Sequence, residues 1–463
     1  MLLLYYPLIL FSIVGYGAFF SKKVLLINVK NLGYFGLIGI FFLIILSYLS
    51  TQIFAHNYIF NTITISIGLV LFYFFTRNIF FEKNDIKLLI LLLSVSIVFI
   101  LVGKNHDDFE YYHFPYTLIL TEFPHPIGLG NLNHGFKTHS SLFLLSSFFS
   151  LPGAKFTLFH ISPSFILVFF NYVILKNLLD SELKKQNKFL TYYCLFSFIF
   201  VNIFFYRLSE HGTDRSAMIL IILLVFHILY LINKKDKDTN SEILKIIFIL
   251  FSIIASFKAF YLIYIVVLLP LIPKILNDKN LIKSFFSINT LFCFLLVSLV
   301  LFTNILNTGC FLFPESRTCF FNLSWSLDRE LVDYLKLHYE NWAKAGSGSG
   351  YSILDSEKVD YVSNLNWLGS WVENYFFNKV SDLILSLLLI SVILFYIFRS
   401  NEKNYIKKRK YKFLYFLLLI ILVLWFSLHP ALRYGGYHLF FLIFFIPLSI
   451  ILEKYNENNF RYK

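Results

Sequence analysis

Residues 87–103, "KLLILLLSVSIVFILVG", lead directly into residues 104–116, "KNHDDFEYYHFPY". The first stretch is apolar and is long enough to cross a hydrocarbon core of about 30 Å as a helix. The second stretch contains three carboxylates, two histidines and a lysine. This boundary predicts a membrane helix that ends at a polar site, and further apolar stretches of similar length recur along the chain.

The composition is that of a membrane protein. Of the 463 residues 58% are hydrophobic and 14% are charged, and the mean hydropathy is +0.70. Soluble domains carry about 25% charged residues. We therefore expect an all-α, polytopic integral membrane protein. The net charge of +13 does not indicate nucleic-acid binding, because the basic residues lie mostly in short connections between apolar stretches. Such basic connections are typical of cytoplasmic loops and favour contact with anionic membrane lipids.

Hydropathy predicts about thirteen transmembrane helices. They cover residues 2–20, 34–54, 59–76, 87–103, 156–176, 189–207, 215–233, 242–257, 259–275, 284–305, 379–398, 413–428 and 434–452. Lysine and arginine then decide the side of each connection, since they accumulate in cytoplasmic loops. The N-terminus is predicted to lie outside and the C-terminus inside.

Five regions follow from this topology. Residues 1–103 form N-terminal transmembrane helices, 104–155 an external acidic loop with short juxtamembrane helices, and 156–305 central transmembrane helices. Residues 306–378 form a second external loop, and 379–463 form C-terminal transmembrane helices with a cytoplasmic tail. The apolar stretch 140–151, "SSLFLLSSFFSL", is too short to span and is expected to be a half-membrane or interfacial helix. If it spans, the topology upstream of it inverts.

The second external loop contains two further features. Four of the five tryptophans fall in it, and residues 367–376 could lie along the membrane interface as an aromatic belt. Cys310 and Cys319 bracket "FLFPESRT" on the predicted external side. An oxidising compartment would permit a structural disulfide there, although the sequence alone leaves the pairing open. Cys194 and Cys293 lie in predicted spans and are expected to be inert packing residues.

The acidic stretch after the fourth span contains the candidate base. If it is helical, Asp107, Glu110 and Tyr111 share one face and Asp108 lies on a neighbouring one. A carboxylate at a membrane boundary is costly unless it is solvated, paired or used. Asp107 or Asp108 is therefore a candidate general base. Either residue could instead cap a short helix that starts at Phe109.

A metal site in the same stretch is a further alternative, in which His106 and His113 bind a metal together with one of the two aspartates. No tight ligand spacing supports it, and neither a metal nor another cofactor is expected.

Three further segments on the predicted external side contain candidate binding residues. They are residues 122–141, "EFPHPIGLGNLNHGFKTHSS", residues 207–216, "RLSEHGTDRS", and residues 428–438, "LHPALRYGGYH". Together with two residues of the acidic stretch, these segments supply the candidates for acceptor or donor binding. The candidates are Glu110, His113, Asn131, His134, Lys137, Glu210 and Asp214. Each segment also has a simpler interpretation, namely a solvated connector, charge pairing at helix ends, and an arginine that extends to lipid headgroups.

Two cations on the predicted external side suit a lipid phosphate. Arg433 precedes the last span, and an arginine there can hold phosphate through two hydrogen bonds. Lys258 falls in a tight turn between two spans. A site at a membrane boundary that combines a carboxylate base with cations suits a lipid-linked phosphosugar donor. The cations would hold the phosphate or pyrophosphate, and the carboxylate would deprotonate an acceptor hydroxyl.

The acidic stretch and the external segments quoted above resemble the corresponding parts of the GT-C class of membrane glycosyltransferases. The resemblance rests on the acidic pair that opens the first large external loop and on the short helices after it. More narrowly, "DDFEYYHFPY" and "PIGLGNLNHGFKTHSS" resemble a group of uncharacterised bacterial membrane proteins. The resemblance extends over residues 104–141, 208–216 and 307–326.

The resemblance implies a function and a set of roles. A GT-C enzyme takes a sugar from a polyprenyl-phosphate donor, and an acid of its first external loop acts as base or orients the acceptor. That role would fall on Asp107 or Asp108, the later external acid would correspond to Glu210 or Asp214, and Lys258 or Arg433 would hold the lipid phosphate. The acceptor would be a cell-surface glycan, lipid or protein outside a bacterial inner membrane, and direct displacement would invert the sugar.

Two other classes of protein remain open. An O-antigen polymerase or ligase also has many spans and large external loops, although the early acidic pair argues against it. A non-enzymatic transporter of lipid-linked glycans is the second alternative. Transporters tend to place ionisable residues near the middle of the membrane, whereas the ionisable residues here lie at the ends of the predicted spans.

Overall fold

The computed structural model describes residues 1–29, 31–77, 83–102, 107–208, 212–234, 239–346, 357–398 and 411–454. Within these ranges the chain is helical and has no β-strand. The α-helices are α1 (Leu2–Lys23), α2 (Leu32–Thr51), α3 (Tyr58–Thr76), α4 (Lys83–Val102), α5 (Phe114–Glu122), α6 (Ser141–Ser147), α7 (Ser162–Leu179), α8 (Ser181–Gln186), α9 (Lys188–Phe204), α10 (Thr213–Asn233), α11 (Asn240–Phe257), α12 (Ile272–Leu276), α13 (Lys279–Phe285), α14 (Ile288–Thr308), α15 (Arg329–Lys344), α16 (Lys358–Val362), α17 (Leu368–Trp371), α18 (Ser381–Phe398), α19 (Lys412–Leu428) and α20 (Gly436–Lys454).

Narrower 3₁₀ turns and wider π turns complete the helical structure. The 3₁₀ segments are Leu129–Asn131, His134–Lys137, Phe159–Ile161, Ala259–Leu271, Ser316–Thr318 and Leu432–Tyr434. The π-helical segments are Phe109–His113 and Val372–Val380.

The prediction of an all-α polytopic membrane protein is confirmed. In the described ranges eleven helices are long and apolar enough to cross a membrane. The apolar helices α9 and α19 are slightly shorter, with 17 residues each. These thirteen helices coincide with the thirteen predicted spans, with shifts at their ends. The largest shift is at residues 368–398, where the helix begins inside the predicted second external loop.

The first three spans pack closely because glycines face their neighbours. A Cβ atom on Gly17 would lie 1.7 Å from the carbonyl oxygen of Phe35 in α2, and one on Gly39 would lie 1.9 Å from that of Ile13 in α1. A Cβ atom on Gly15 would lie 2.0 Å from the carbonyl oxygen of Gly68 in α3. Small residues let membrane helices approach in this way, so that dispersion contacts hold them together.

At one end of the bundle, lysine side chains donate hydrogen bonds to carbonyl groups near the helix ends. Lys245 Nζ donates to the carbonyl oxygens of Leu25 and Leu26, at 3.1 and 3.2 Å, just after α1 ends. Lys22 Nζ donates to Phe75 O at 2.9 Å near the end of α3. Cations suit the carboxyl ends of helices, where carbonyl groups lack partners within the helix. This end of the bundle is made of connections predicted to be cytoplasmic.

The connections predicted to be external meet at the opposite end. The backbone N–H of His125 donates to Thr51 O at 2.7 Å, and the N–H of Gly128 donates to Leu306 O at 2.7 Å. Between them lies α6, which has seven residues, all buried. This length shows that residues 140–151 do not span, and that the helix packs inside the end of the bundle.

Two tryptophans of the second external loop pack inside the protein. Trp367 and Trp371 are buried, and the indole N–H of Trp371 donates to Pro430 O at 2.9 Å. These two side chains therefore do not form the aromatic belt that was expected over residues 367–376.

Candidate active site at one end of the bundle

Asp108 lies at the end of the bundle where the connections predicted to be external meet. It directly precedes the π-helical segment Phe109–His113, and its side chain makes no capping hydrogen bond. Its Oδ2 lies 2.8 Å from Nη2 of Arg433 and 3.4 Å from the hydroxyl of Tyr112. The interpretation of Asp108 as a helix cap is therefore wrong, because its carboxylate pairs with a cation from the other end of the sequence. Asp107, by contrast, is exposed.

Asp214 supplies a second carboxylate from the first turn of α10. Its Oδ1 lies 2.5 Å from Nζ of Lys258, and its Oδ2 lies 3.5 Å from Nε of Arg433. Unpaired N–H groups make a helix N-terminus favourable for negative charge. The position of Asp214 therefore combines two cations with the start of a helix.

Arg433 joins the two carboxylates. It lies on the 3₁₀ turn between α19 and α20, and Gly435 after it has a φ of +109°, which favours glycine. Its guanidinium lies 5.4 Å from the ring centre of Trp342 and 5.6 Å from that of Tyr434. Burial lowers the pKa of Arg433, but Tyr434 and the two carboxylates raise it by more, so that the group remains cationic.

We call Asp108, Asp214, Lys258 and Arg433 the charge cluster. Their side chains are 25%, 12%, 23% and 31% exposed. The cluster is thus largely desolvated but open to solvent on one side. Desolvation strengthens its ion pairs, and the opening leaves Asp108 and Arg433 accessible to a ligand.

Arg215 adds a cation whose importance the sequence did not indicate. It follows Asp214 in α10, and its guanidinium lies 4.0 Å from the ring centre of Tyr437 and 5.0 Å from that of Phe205. Its Nη1 is buried and has no hydrogen-bond partner in the described chain. Its charge acts on Asp214, as those of Lys258 and Arg433 do, and it thus adds a third cation near this carboxylate. The only sequence signal was its place beside Asp214, which is equally typical of simple pairing at a helix end.

Tyr112 contacts both the charge cluster and the loop after α5. Its pKa is raised above the ordinary value because the side chain is buried and Asp108 is close, so the hydroxyl keeps its proton and donates. The opposite side of the ring packs against Gly135, where an added Cβ would lie 2.3 Å from Cγ of Tyr112. The 3₁₀ segment His134–Lys137 is held against the cluster in this way.

The other predicted binding residues have different surroundings. Glu110 is exposed. Asn131 is exposed as well, but its Nδ2 donates to Trp325 O at 2.9 Å, which ties the two external loops together. His134 Nε2 lies 3.1 Å from the hydroxyl of Tyr339 on α15. Lys137 is buried. Glu210 lies outside the described residues.

His113 faces a cleft beside the charge cluster. Its ring packs against Phe143 and against Gly212, where an added Cβ would lie 2.2 Å from Cε1 of His113. The cleft is small, with a cavity volume of about 30 Å³, and is lined mainly by apolar side chains. Its lining includes Phe109, Phe143, Phe159, Gly212 and Thr213. Since Thr213 precedes Asp214, the cleft begins next to the cluster.

The disulfide permitted by the sequence is present. Cys310 and Cys319 are joined, with Sγ atoms 2.01 Å apart, and the N–H of Phe320 donates to Gly309 O at 2.8 Å. These contacts fix the start of the second external loop at the end of α14. The loop then continues into α15, whose Trp342 covers Arg433. Cys194 and Cys293 are buried and free.

The described part of the chain contains no group of three or more side chains suited to hold a metal ion. His106, which one interpretation paired with His113 in a metal site, lies outside the described residues.

Comparison with known sequences places the chain in a family. The sequence model described as "Domain of unknown function (DUF8201)" matches residues 1–441. The chain belongs to the DUF8201 family. No curated protein and no solved structure matches the chain. The family match covers every residue of the charge cluster.

Proposed function

We propose that this DUF8201 protein is a membrane glycosyltransferase of the GT-C type. It would move a sugar from a polyprenyl-phosphate donor to a cell-surface glycan, lipid or protein on the outer face of a bacterial inner membrane. The observation that supports this most strongly is the charge cluster. Four charged residues from four distant segments meet at the end of the bundle where the external connections are predicted.

We assign a role in the proposed reaction to each charge. Arg433, Lys258 and Arg215 would hold the phosphate of the donor and stabilise the charge that develops on it as it leaves. Asp214 would position Lys258 and Arg433, since it pairs with both. Asp108 would be the base. It is preferred over Asp107 because only Asp108 touches a cation of the cluster.

The proposed chemical step is a direct displacement. The acceptor oxygen forms a bond to the anomeric carbon while the bond from that carbon to the phosphate oxygen breaks. The proton of the acceptor hydroxyl goes to the carboxylate of Asp108, and the electron pair leaves with polyprenyl phosphate. Inversion at the anomeric carbon follows.

An O-antigen polymerase or ligase is the second candidate. The net positive charge that Arg215 gives to the site favours it, because pyrophosphate carries more negative charge than a phosphodiester. A transporter is less well supported. Asp85 and Asp214 both lie in the first turns of their helices rather than in the middle. A simpler role, in which the charge cluster only joins helix ends, must also be tested.

The test is sugar transfer in membranes that contain the protein. Radiolabelled polyprenyl-phosphate sugars are supplied to the wild type, Arg433→Gln, Arg433→Lys and Arg317→Gln. Arg317 is a matched control, because its side chain is 92% exposed. We expect Arg433→Gln to lower transfer by about 100-fold, as for loss of one group that stabilises a transition state, and Arg433→Lys to lower it less.

Folding of each variant is checked by size exclusion and thermal unfolding. The proposal is wrong if the wild type transfers sugar from none of the donors. It is also wrong if a folded Arg433→Gln variant transfers as fast as Arg317→Gln.

A further inference from the structure

Lys137 is a buried cation that the charge cluster does not use. The residue is 8% exposed. Within the described chain its ammonium has neither a hydrogen bond nor an ion pair, whereas Lys258 and Arg433 are both paired. Partial burial lowers the pKa of Lys137, because its ammonium loses some hydration there without gaining a counter-charge in the described chain. A cation kept in such a place is suited to meet an anion that arrives from outside.

The backbone around Lys137 is fixed rather than free to move away. Gly135 packs against the ring of Tyr112, and Asn133 Nδ2 donates to Tyr111 O at 3.2 Å. The carbonyl of Phe136 accepts a hydrogen bond from Asn307 Nδ2 at 3.5 Å. The position of Lys137 is therefore set by contacts with the segment that carries Asp108 and with α14.

Imidazole groups lie beside this lysine. Burial, the positive charge of Lys137 and His338 all lower the pKa of His134, so its ring is neutral at pH 7. His134 Nε2 lies 3.1 Å from the hydroxyl of Tyr339. The pKa of Tyr339 is raised by burial, so this hydroxyl keeps its proton. When the hydroxyl donates to Nε2, Nδ1 of His134 carries the proton and is a hydrogen-bond donor.

Tyr112 and α15 each contact both the segment His134–Lys137 and the charge cluster. Tyr112 has Gly135 on one side and Asp108 on the other. In α15, Tyr339 contacts His134 and Trp342 contacts Arg433. A molecule bound at Lys137 would therefore be adjacent to the proposed base but would not occupy the cations assigned to the donor phosphate.

We propose that Lys137 and His134 form a second anion subsite that binds a carboxylate or phosphate group of the acceptor. This inference rests on the proposed function, in which an acceptor hydroxyl must be presented to Asp108. It adds that the acceptor is anionic. The group can come from an acidic sugar in water or from the headgroup of an anionic lipid, and the experiment separates these sources.

The experiment measures thermal unfolding of the purified full-length protein in lipid nanodiscs. In phosphatidylcholine nanodiscs, inorganic phosphate or glucuronate is added, with glucose as the neutral control. In a second series, phosphatidylglycerol replaces part of the phosphatidylcholine. A ligand that binds the folded state raises the melting temperature in proportion to its occupancy.

The variants are Lys137→Gln, Lys137→Arg and the control Lys155→Gln, since Lys155 is exposed in a turn. We expect an anion-dependent rise in melting temperature in the wild type, Lys137→Arg and Lys155→Gln, and a clearly smaller rise in Lys137→Gln, where only the cations of the charge cluster and Arg215 remain to bind the anion. Without added anion, Lys137→Gln should melt no lower than the wild type, because it removes a partly buried charge that has no counter-charge in the described chain. A rise with phosphate or glucuronate identifies a soluble source, and a rise only with phosphatidylglycerol identifies a lipid.

The inference is overturned if no anion raises the melting temperature of the wild type, or if Lys137→Gln responds as the wild type does. Because binding is measured without sugar transfer, the two proposals can fail separately. If the protein binds anions through Lys137 but transfers no sugar, the subsite is supported and the proposed function is wrong. If it transfers sugar but does not bind anions through Lys137, the proposed function is supported and the subsite is wrong.

Discussion

Three buried histidines surround the ends of α2, α5 and α6. His56 Nε2 and Nδ1 lie 2.7 Å from the hydroxyls of Ser50 and Ser147, and His125 Nε2 lies 3.0 Å from that of Tyr116. Burial lowers the pKa of His56 to about 3, that of His125 to about 4 and that of His139 to about 3. All three are therefore neutral at pH 7 and act as hydrogen-bonding parts of the structure.

These pKa values predict acid instability. The unfolded chain binds a proton at each imidazole as the pH falls through about 6.5, whereas the folded chain does not until about pH 4 or 3. Stability is thus fully present above pH 6.5 and declines below it, by about 1.4 kcal/mol per pH unit for each histidine. We expect His139→Gln to show a smaller loss of melting temperature between pH 6.5 and 4.5 than the wild type. Identical pH profiles would show that His139 titrates normally.

At the residue level the sequence could not separate Asp107 from Asp108. An α-helical periodicity grouped Asp107 with Glu110 and Tyr111, but the segment Phe109–His113 is a π-helix, which rotates these positions differently. No residue type in this stretch indicates a π-turn. The partner of Asp108 is Arg433, which lies 325 positions away in the sequence, and no local pattern predicts such a pairing.

At the scale of elements, the 3₁₀ segment His134–Lys137 and the π-helical segment Phe109–His113 support one another. Gly135 permits this contact, because an added Cβ would lie 2.3 to 2.6 Å from three atoms of Tyr112. The contact keeps the Tyr112 hydroxyl near Asp108. A side chain at residue 135 would have to displace the tyrosine, and the displacement would disturb the charge cluster.

Gly135→Ala should therefore destabilise the protein by about 1–3 kcal/mol, the usual cost of overpacking, and should reduce sugar transfer. Gly369→Ala is the matched control, because no atom lies within 4 Å of an added Cβ in that helical position. The control should be neutral or stabilising by about 0.5–1 kcal/mol, since alanine has a higher helix propensity than glycine. Equal effects of the two substitutions on melting temperature would contradict the packing at Gly135.

Predictions of individual elements succeeded where a single physical cause decides the outcome. Burial of apolar side chains in lipid decides where the long helices lie, and all thirteen predicted spans correspond to helices. The shape of residues 259–271, which form a 3₁₀ rather than an α-helix, depends on neighbours and was not predicted. The burial of Trp367 and Trp371 likewise follows from contacts with Phe426 and Pro430 and not from their own sequence.

At the scale of the whole molecule, the bundle has two chemically different ends. Lys274 Nζ donates to Lys234 O at 2.7 Å at the carboxyl end of α10, while Asp214 lies at the other end of that helix, in the charge cluster. Counting lysine and arginine assigned the first end to the cytoplasm. The proposed function requires the second end to face the exterior.

This orientation predicts the labelling of single cysteines in intact cells. Leu132→Cys lies in an exposed loop at the cluster end, and Asn277→Cys lies in an exposed turn near Lys274. A membrane-impermeant maleimide should label Leu132→Cys in intact cells and Asn277→Cys only after permeabilisation. The wild type is the background control, because Cys194 and Cys293 are buried and the other two cysteines are joined. The reverse pattern would place the cluster in the cytoplasm.

The most direct test of the central claim compares two neighbouring aspartates. Transfer of radiolabelled sugar from polyprenyl-phosphate donors is measured in membranes with the wild type, Asp108→Asn and Asp107→Asn at matched expression. Asp108 pairs with Arg433 and Asp107 is exposed, so we predict that Asp108→Asn loses transfer by about 100-fold or more while Asp107→Asn retains it. If folded Asp108→Asn transfers as well as the wild type, Asp108 is not the base, and the charge cluster serves to join the helices.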